Sequence, residues 1–109
     1  MTVFEISRKL SLKSVTVPDG EREIGGVYIG ELLSWVMGRG KADDAWITIM
    51  SNINIVAVAA LVDTACIILA ENVEIDDSVK AVAEEKGVNI LSSDKTAYEL
   101  AASLYDFLK

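Results

Sequence analysis

The stretch that most constrains this chain runs from Ala45 to Glu71. Trp46-Ile47-Thr48-Ile49-Met50 is a short β-type run, followed by the polar turn Ser51-Asn52-Ile53-Asn54. Ile55 to Val62 is wholly apolar, Asp63-Thr64 interrupts it, and Cys66-Ile67-Ile68-Leu69 forms a second buried run. Strand, crossover helix and strand in this order make a βαβ unit, which requires a parallel sheet.

The remaining elements extend that unit. Thr2 and Glu5 have the capping-box spacing ahead of a helix over Val3 to Leu10. Leu12 to Val17 reads as a strand, Pro18-Asp19-Gly20 as a turn, and Glu21 to Ile29 as an extended segment broken by Gly25-Gly26. A helix over Glu31 to Met37 is expected to stop at Gly38. Asp76 or Asp77 opens a helix ending at Lys86, Gly87 stops it, and Val88 to Leu91 is the last strand. Lys95 to Leu108 closes the chain, with Ala97, Leu100, Ala101, Leu104, Tyr105 and Leu108 at helical spacing. The expected fold is a single α/β domain over residues 1–109. It has a mostly parallel sheet flanked by helices, with a βαβαβα core after an irregular N-terminal third.

Composition removes several functions. The net charge of −7 repels phosphate backbones, which argues against nucleic-acid binding. The absence of histidine removes histidine acid–base chemistry and most zinc designs. Cys66 is the single cysteine, so it forms no internal disulfide; placed mid-strand, it reads as a buried, inert thiol suited to a reducing cytoplasm. Asn54 and Asp63-Thr64 interrupt the greasy stretch, so no membrane span is expected, and no signal peptide is read at the start. No metal site and no cofactor are expected. Gly38-Arg39-Gly40-Lys41 lacks the spacing of a phosphate loop and follows a helix, so nucleotide hydrolysis is rejected. The serines have no histidine partner, and no catalytic residue is assigned.

Two features suggest recognition. In open α/β sheets, ligands sit beyond the C-terminal ends of the strands. Thr48, Ser51, Asn52 and Asn54 fall at one such end, and Ser92 and Ser93 at another. These residues are candidate ligands for a small anion, or plain turn and cap residues. Arg22 beside Gly25 and Gly26 supplies a candidate charge. The second feature is the Ile55–Val62 helix, apolar on every face, where a surface helix ordinarily carries one apolar stripe. Its far side must meet either the N-terminal third or another chain. The latter makes Ile55, Val58, Ala59 and Val62 candidate homodimer contacts.

A family resemblance rests on several stretches together. They are Gly25-Gly26-Val27-Tyr28, Asp43-Asp44-Ala45-Trp46-Ile47-Thr48, Asn54-Ile55-Val56-Ala57-Val58-Ala59, Ala65-Cys66-Ile67-Ile68, Asn89-Ile90-Leu91-Ser92-Ser93 and Ala97-Tyr98-Glu99-Leu100. As a set they resemble the DRTGG domain family. The namesake stretch here is Glu21-Arg22-Glu23-Ile24-Gly25-Gly26, which keeps the arginine and the glycine pair. The resemblance implies a bacterial or archaeal regulatory module without catalysis of its own, similar to the N-terminal domain of HPr kinase/phosphorylase. It also implies a place beside CBS-domain pairs in some pyrophosphatases. The expected function is therefore a self-associating regulator that senses a small anionic ligand, nucleotide or phosphate metabolite. The alternative is an interaction module docking on a partner enzyme without a ligand.

Overall fold

The computed structural model describes residues 1–109. The element order is α1 (Val3–Lys9), β1 (Lys13–Thr16), β2 (Gly26–Ile29), α2 (Leu33–Arg39), β3 (Asp44–Thr48), α3 (Asn54–Val62), β4 (Cys66–Leu69), α4 (Asp77–Lys86), β5 (Ile90–Ser92) and α5 (Ala97–Leu108). The five strands form one sheet in the order β1-β5-β4-β3-β2. β2, β3, β4 and β5 run parallel, and only β1 pairs antiparallel, with β5. The expected α/β architecture with a mostly parallel sheet is what forms. The irregular N-terminal third supplies both edges of it, β1 at one side and β2 at the other.

Period-two alternation along the strands builds two cores. Ala45, Ile47, Cys66, Ile68 and Leu91 face one side, where α1 and α5 cover them through Val3, Ile6, Leu100 and Leu104. Trp46, Ile67, Leu69 and Ile90 face the other, against Val36, Ile55, Val56, Val79 and Ala83 of α2, α3 and α4. Burial on both faces explains why β3 and β4 read as continuous apolar runs. The indole N–H of Trp46 is not stranded in this core, since it donates to the Gly30 carbonyl at 3.0 Å.

Local chemistry sets the helix ends. Thr2–Glu5 and Thr96–Glu99 both form complete capping boxes, satisfying first-turn N–H groups reciprocally. Gly87 ends α4 in the left-handed region at φ 73°, as a C-terminal glycine is suited to do. Several boundaries differ from expectation. β3 begins at Asp44 and closes at Thr48, and β5 starts two residues later and ends one residue later than the apolar run suggests. α2 begins at Leu33 and carries Gly38 inside it, so the cap is Gly40. A Cβ at Gly40 would sit 2.7 Å from the Val36 carbonyl oxygen, which is why glycine is needed there although its φ is ordinary. Gly25-Gly26 does not interrupt β2 but opens it.

The α3 helix answers the question its composition raised. Ile55, Val56, Val58 and Ala59 are buried, because α2 and α4 pack beside α3 in the layer while the sheet lies beneath it. Three sides are thus covered within the chain. Ile55, Val58 and Ala59 face inward and are not open to a partner, and Val62 is half-buried. The surface left outside is the narrow arc Ile53, Ala57, Ala60 and Leu61, with Leu61 72% exposed.

Candidate functional site

The parallel strands bring Thr48, Ser51, Asn52, Asn54, Ser92 and Ser93 to the C-terminal edge of the sheet, as expected. β4 separates the two groups, since Leu69 pairs with Thr48 on one side and Ser92 on the other. At about 4.8 Å per strand spacing, β3 and β5 lie about 10 Å apart, the width of a small ligand. Most of these polar groups are already engaged within the chain. The Thr48 hydroxyl is buried, donates to Glu31 Oε2 and accepts from the Met50 N–H at 3.2 Å. Glu31 Oε2 also accepts the Ile49 N–H at 3.0 Å. Asn52 Oδ1 accepts the Asn54 N–H at 2.9 Å in a local turn ahead of α3, whose cap position, Ile53, carries no side-chain cap bond. The Ser93 hydroxyl accepts the Lys95 N–H, and its carbonyl accepts that of Asn72 at 2.7 Å.

What remains open at this edge is Ser51, the Asn52 amide and Asn54, all exposed, whereas Ser92 is largely buried. Ser92 lines a cleft of about 190 Å³ with Lys13, Ser14, Glu74, Asp77 and Lys80, between β1 and the start of α4. Glu31 was not foreseen as part of the edge. Its carboxylate beside Thr48 opposes an anion there, and the signal for it was its place between the extended segment ending at Ile29 and the next helix, the same kind of strand-to-helix junction as Ser51–Asn54.

Arg22, Gly25 and Gly26 do not join that edge. β2 starts at Gly26, level with Asp44, so all three lie at the opposite, N-terminal edge of the parallel strands. There Arg22 is a strut. Its Nε and Nη2 donate to Asp43 Oδ1 at 3.1 and 2.9 Å, its Nη1 to Asp63 Oδ1 at 2.9 Å, and its Nη2 to the Asp63 carbonyl at 2.7 Å. Asp43 and Asp63 both sit in the left-handed region, at φ 70° and 69°. Asp63 caps the C-terminus of α3, and the Asp43 N–H donates to its carbonyl. The guanidinium thus ties the start of β2 to the entry of β3 and the exit of α3. It holds the Asp63 carboxyl below its ordinary range, chiefly by hydrogen bonding and then by charge. The break at Asp63 was the available signal for this cap; its partner across the sheet was not.

Gly26 has a local reason of its own, because a Cβ there would stand 2.8 Å from Asp44 Oδ1. Beyond the glycines, the free side of β2 borders a groove of about 550 Å³ whose far wall is Ala101, Tyr105, Leu108 and Lys109 of α5. This is the largest concavity of the chain, and it is mainly apolar. Cys66 lies away from it, fully buried, with its thiol pushed up to about 12 by desolvation. No group of acidic, histidine or cysteine side chains is gathered to hold a metal. No helix is long and apolar enough to cross a membrane.

Comparison with known proteins now bears on this geometry. No curated protein sequence matches the chain. Among solved structures, it resembles the CBS and DRTGG domains of the regulatory region of Clostridium perfringens pyrophosphatase, complexed with the activator diadenosine tetraphosphate. The TM-score is 0.73 at 10% sequence identity, over 93% of this chain and 44% of that one, so the likeness is one of fold. The chain therefore spans less than half the length of that regulatory region. The family described as the DRTGG domain matches residues 5–107. With nearly its whole length matched and the glycine pair at the mouth of β2, the chain belongs to the DRTGG domain family.

Proposed function

We propose that the chain is a regulatory module rather than a catalyst: it self-associates and reads a small anionic ligand of the nucleotide or phosphate-metabolite class. The observation that carries this reading is the open apolar surface of so small a domain. The groove beside β2 is left uncovered while most of the polar strand ends are bonded among themselves. Large exposed apolar surface is characteristic of contact sites. The ligand part draws support from the matched pyrophosphatase regulatory region, which was complexed with diadenosine tetraphosphate. Ser51, Asn52 and Asn54 are the groups at the C-terminal edge free to meet such a ligand, with Ser92, Lys13 and Lys80 in the neighbouring cleft. Arg22, Gly25 and Gly26 serve the fold at the opposite edge. The lone buried thiol fits a reducing, cytoplasmic setting.

Thermal shift with diadenosine tetraphosphate and, separately, inorganic phosphate tests the ligand part. Ligand at one hundred times its dissociation constant stabilises by about 2.7 kcal/mol. No shift with either probe at millimolar concentration refutes sensing by this chain. Light scattering at tens of micromolar tests self-association, which a monomer refutes.

A second reading, docking on a partner enzyme without a ligand, is favoured by a separate surface. Leu32, Trp35, Met37, Ile53 and Leu61 are exposed along α2 and α3. Leu61→Glu then abolishes binding of that enzyme while leaving the oligomeric state unchanged.

A further inference from the structure

We infer that the chain pairs with a second copy of itself through the free edge of β2, giving one continuous sheet across a twofold axis. This rests on the self-association proposed above and names its surface. Edge strands present unpaired N–H and C=O groups, and proteins usually blunt them with charge or a bulge. The two edges of this sheet differ in that respect. β1 carries Lys13 and has a register irregularity between Ser14 and Thr16. β2 is Gly-Val-Tyr-Ile, uncharged and in unbroken register with β3, and its open side faces the apolar groove.

The backbone fixes how two such edges would meet. The Gly25 N–H, ahead of β2, donates to the Asp43 carbonyl at 2.9 Å. Just past β2 the Gly30 N–H points inward, to the Ile47 carbonyl at 3.3 Å, so by alternation along the strand Tyr28 and Gly26 bond inward and Val27 and Ile29 present their N–H and C=O groups outward. Antiparallel pairing of Val27 with the second copy's Val27 makes about two hydrogen bonds on a twofold axis through that residue. In that register Tyr28 stands opposite Gly26, and Ile29 opposite Gly25. The two bulky residues of one edge meet the two residues without side chains on the other. Val27 meets its own counterpart on the side of the sheet that carries α5.

The helices agree with this register. α5 packs over β2 and β3 alike, so it lies about one strand spacing inside the seam. Two copies then place their α5 helices about two spacings apart, or about 9.6 Å, within the 8–10 Å at which helices pack. Each groove is filled by the other copy's Ala101, Tyr105 and Leu108. β2 itself is uncharged, so the paired strand edges bring no like charges together.

Light scattering and cross-linking decide this. The chain is expected to be a dimer at tens of micromolar, and Val27→Glu, placing two carboxylates face to face on the axis, raises the dimer dissociation constant about ten-fold or more. Tyr105→Cys, at an exposed position midway along the groove wall, forms an inter-chain disulfide under mild oxidation, while Leu61→Glu leaves the dimer intact. A dimer that Leu61→Glu dissociates, with no Tyr105→Cys cross-link, overturns the edge pairing but preserves self-association. A monomeric wild type overturns both. If Val27→Glu does not fold, the Tyr105→Cys result alone decides, and absence of the cross-link in a dimeric protein refutes the seam.

Discussion

Arg22→Gln removes the strut at the N-terminal edge of the sheet without changing the backbone demands of its neighbours. The wild-type guanidinium donates four hydrogen bonds, three to the carboxylates of Asp43 and Asp63 and one to the Asp63 carbonyl. The carboxylates are more than half exposed, so each ion pair is screened and contributes about 0.5 kcal/mol. The carbonyl bond satisfies a helix end with a charged donor and adds about 1 kcal/mol. The expected loss is therefore about 2 kcal/mol, or about 8 °C in Tm for a domain of this size. Without the arginine, two like charges also stay close while both residues hold the left-handed conformation. Arg22→Lys should recover only part of the loss, since one ammonium does not match the fork that reaches both residues. Urea unfolding read by Trp46 fluorescence gives the measurement. A loss under about 0.5 kcal/mol, the scale of an ordinary surface change, refutes the strut.

The same contact shapes the acid limb. Asp63 has its folded pKa depressed, so its stabilisation is full above the unfolded value near pH 4 and is lost as pH falls through the lower folded value. Glu5 and Glu99 act in the same direction through their capping threonines. Stability against pH should fall below about pH 4 and fall less steeply in Arg22→Gln. At the other limb Cys66 has the opposite sign: its folded pKa is raised to about 12, so stability is full below the unfolded thiol value and declines as pH rises beyond it. Cys66→Ala should flatten that alkaline decline, and the native thiol should resist alkylation at pH 8 until urea unfolds the chain. Thr96→Ala, which breaks the α5 capping box, should cost about 1 kcal/mol in the same unfolding assay. If the C-terminal edge binds an anion, Glu31→Gln should strengthen the thermal shift, because it removes the carboxylate lodged beside Thr48.

How far the sequence was legible depends on the range of each interaction. The capping box at Thr2 and the left-handed Gly87 are settled within four residues of chain, and they read correctly; the Thr96–Glu99 box is just as local but was passed over, the last helix being expected from Lys95. The βαβ core was legible because burial on both faces leaves an uninterrupted apolar run. The apolar α3 invited the inference that its far side meets either the N-terminal third or another chain, with the latter favoured. The omitted contribution was lateral: α2 and α4 in the same layer bury Ile55, Val58 and Ala59, which leaves only a narrow arc outside.

The candidate site failed to assemble for a reason of topology. Arg22 and the glycine pair precede β2, whereas Thr48 and Ser92 close β3 and β5. In parallel strands, the residues before one strand and those after another lie at opposite edges. That much follows from parallel pairing alone. Which strands lie outermost does not, because it depends on the pairing order β1-β5-β4-β3-β2, in which neighbours in sequence are split to the two sides of the sheet. Once β2 is known to be an edge, the meaning of Gly25-Gly26 changes. As an interior bulge the pair would only bend a strand. At the head of an uncharged open edge, with Tyr28 and Ile29 three residues further on, it sets the residues without side chains opposite the bulky ones in the edge pairing proposed above.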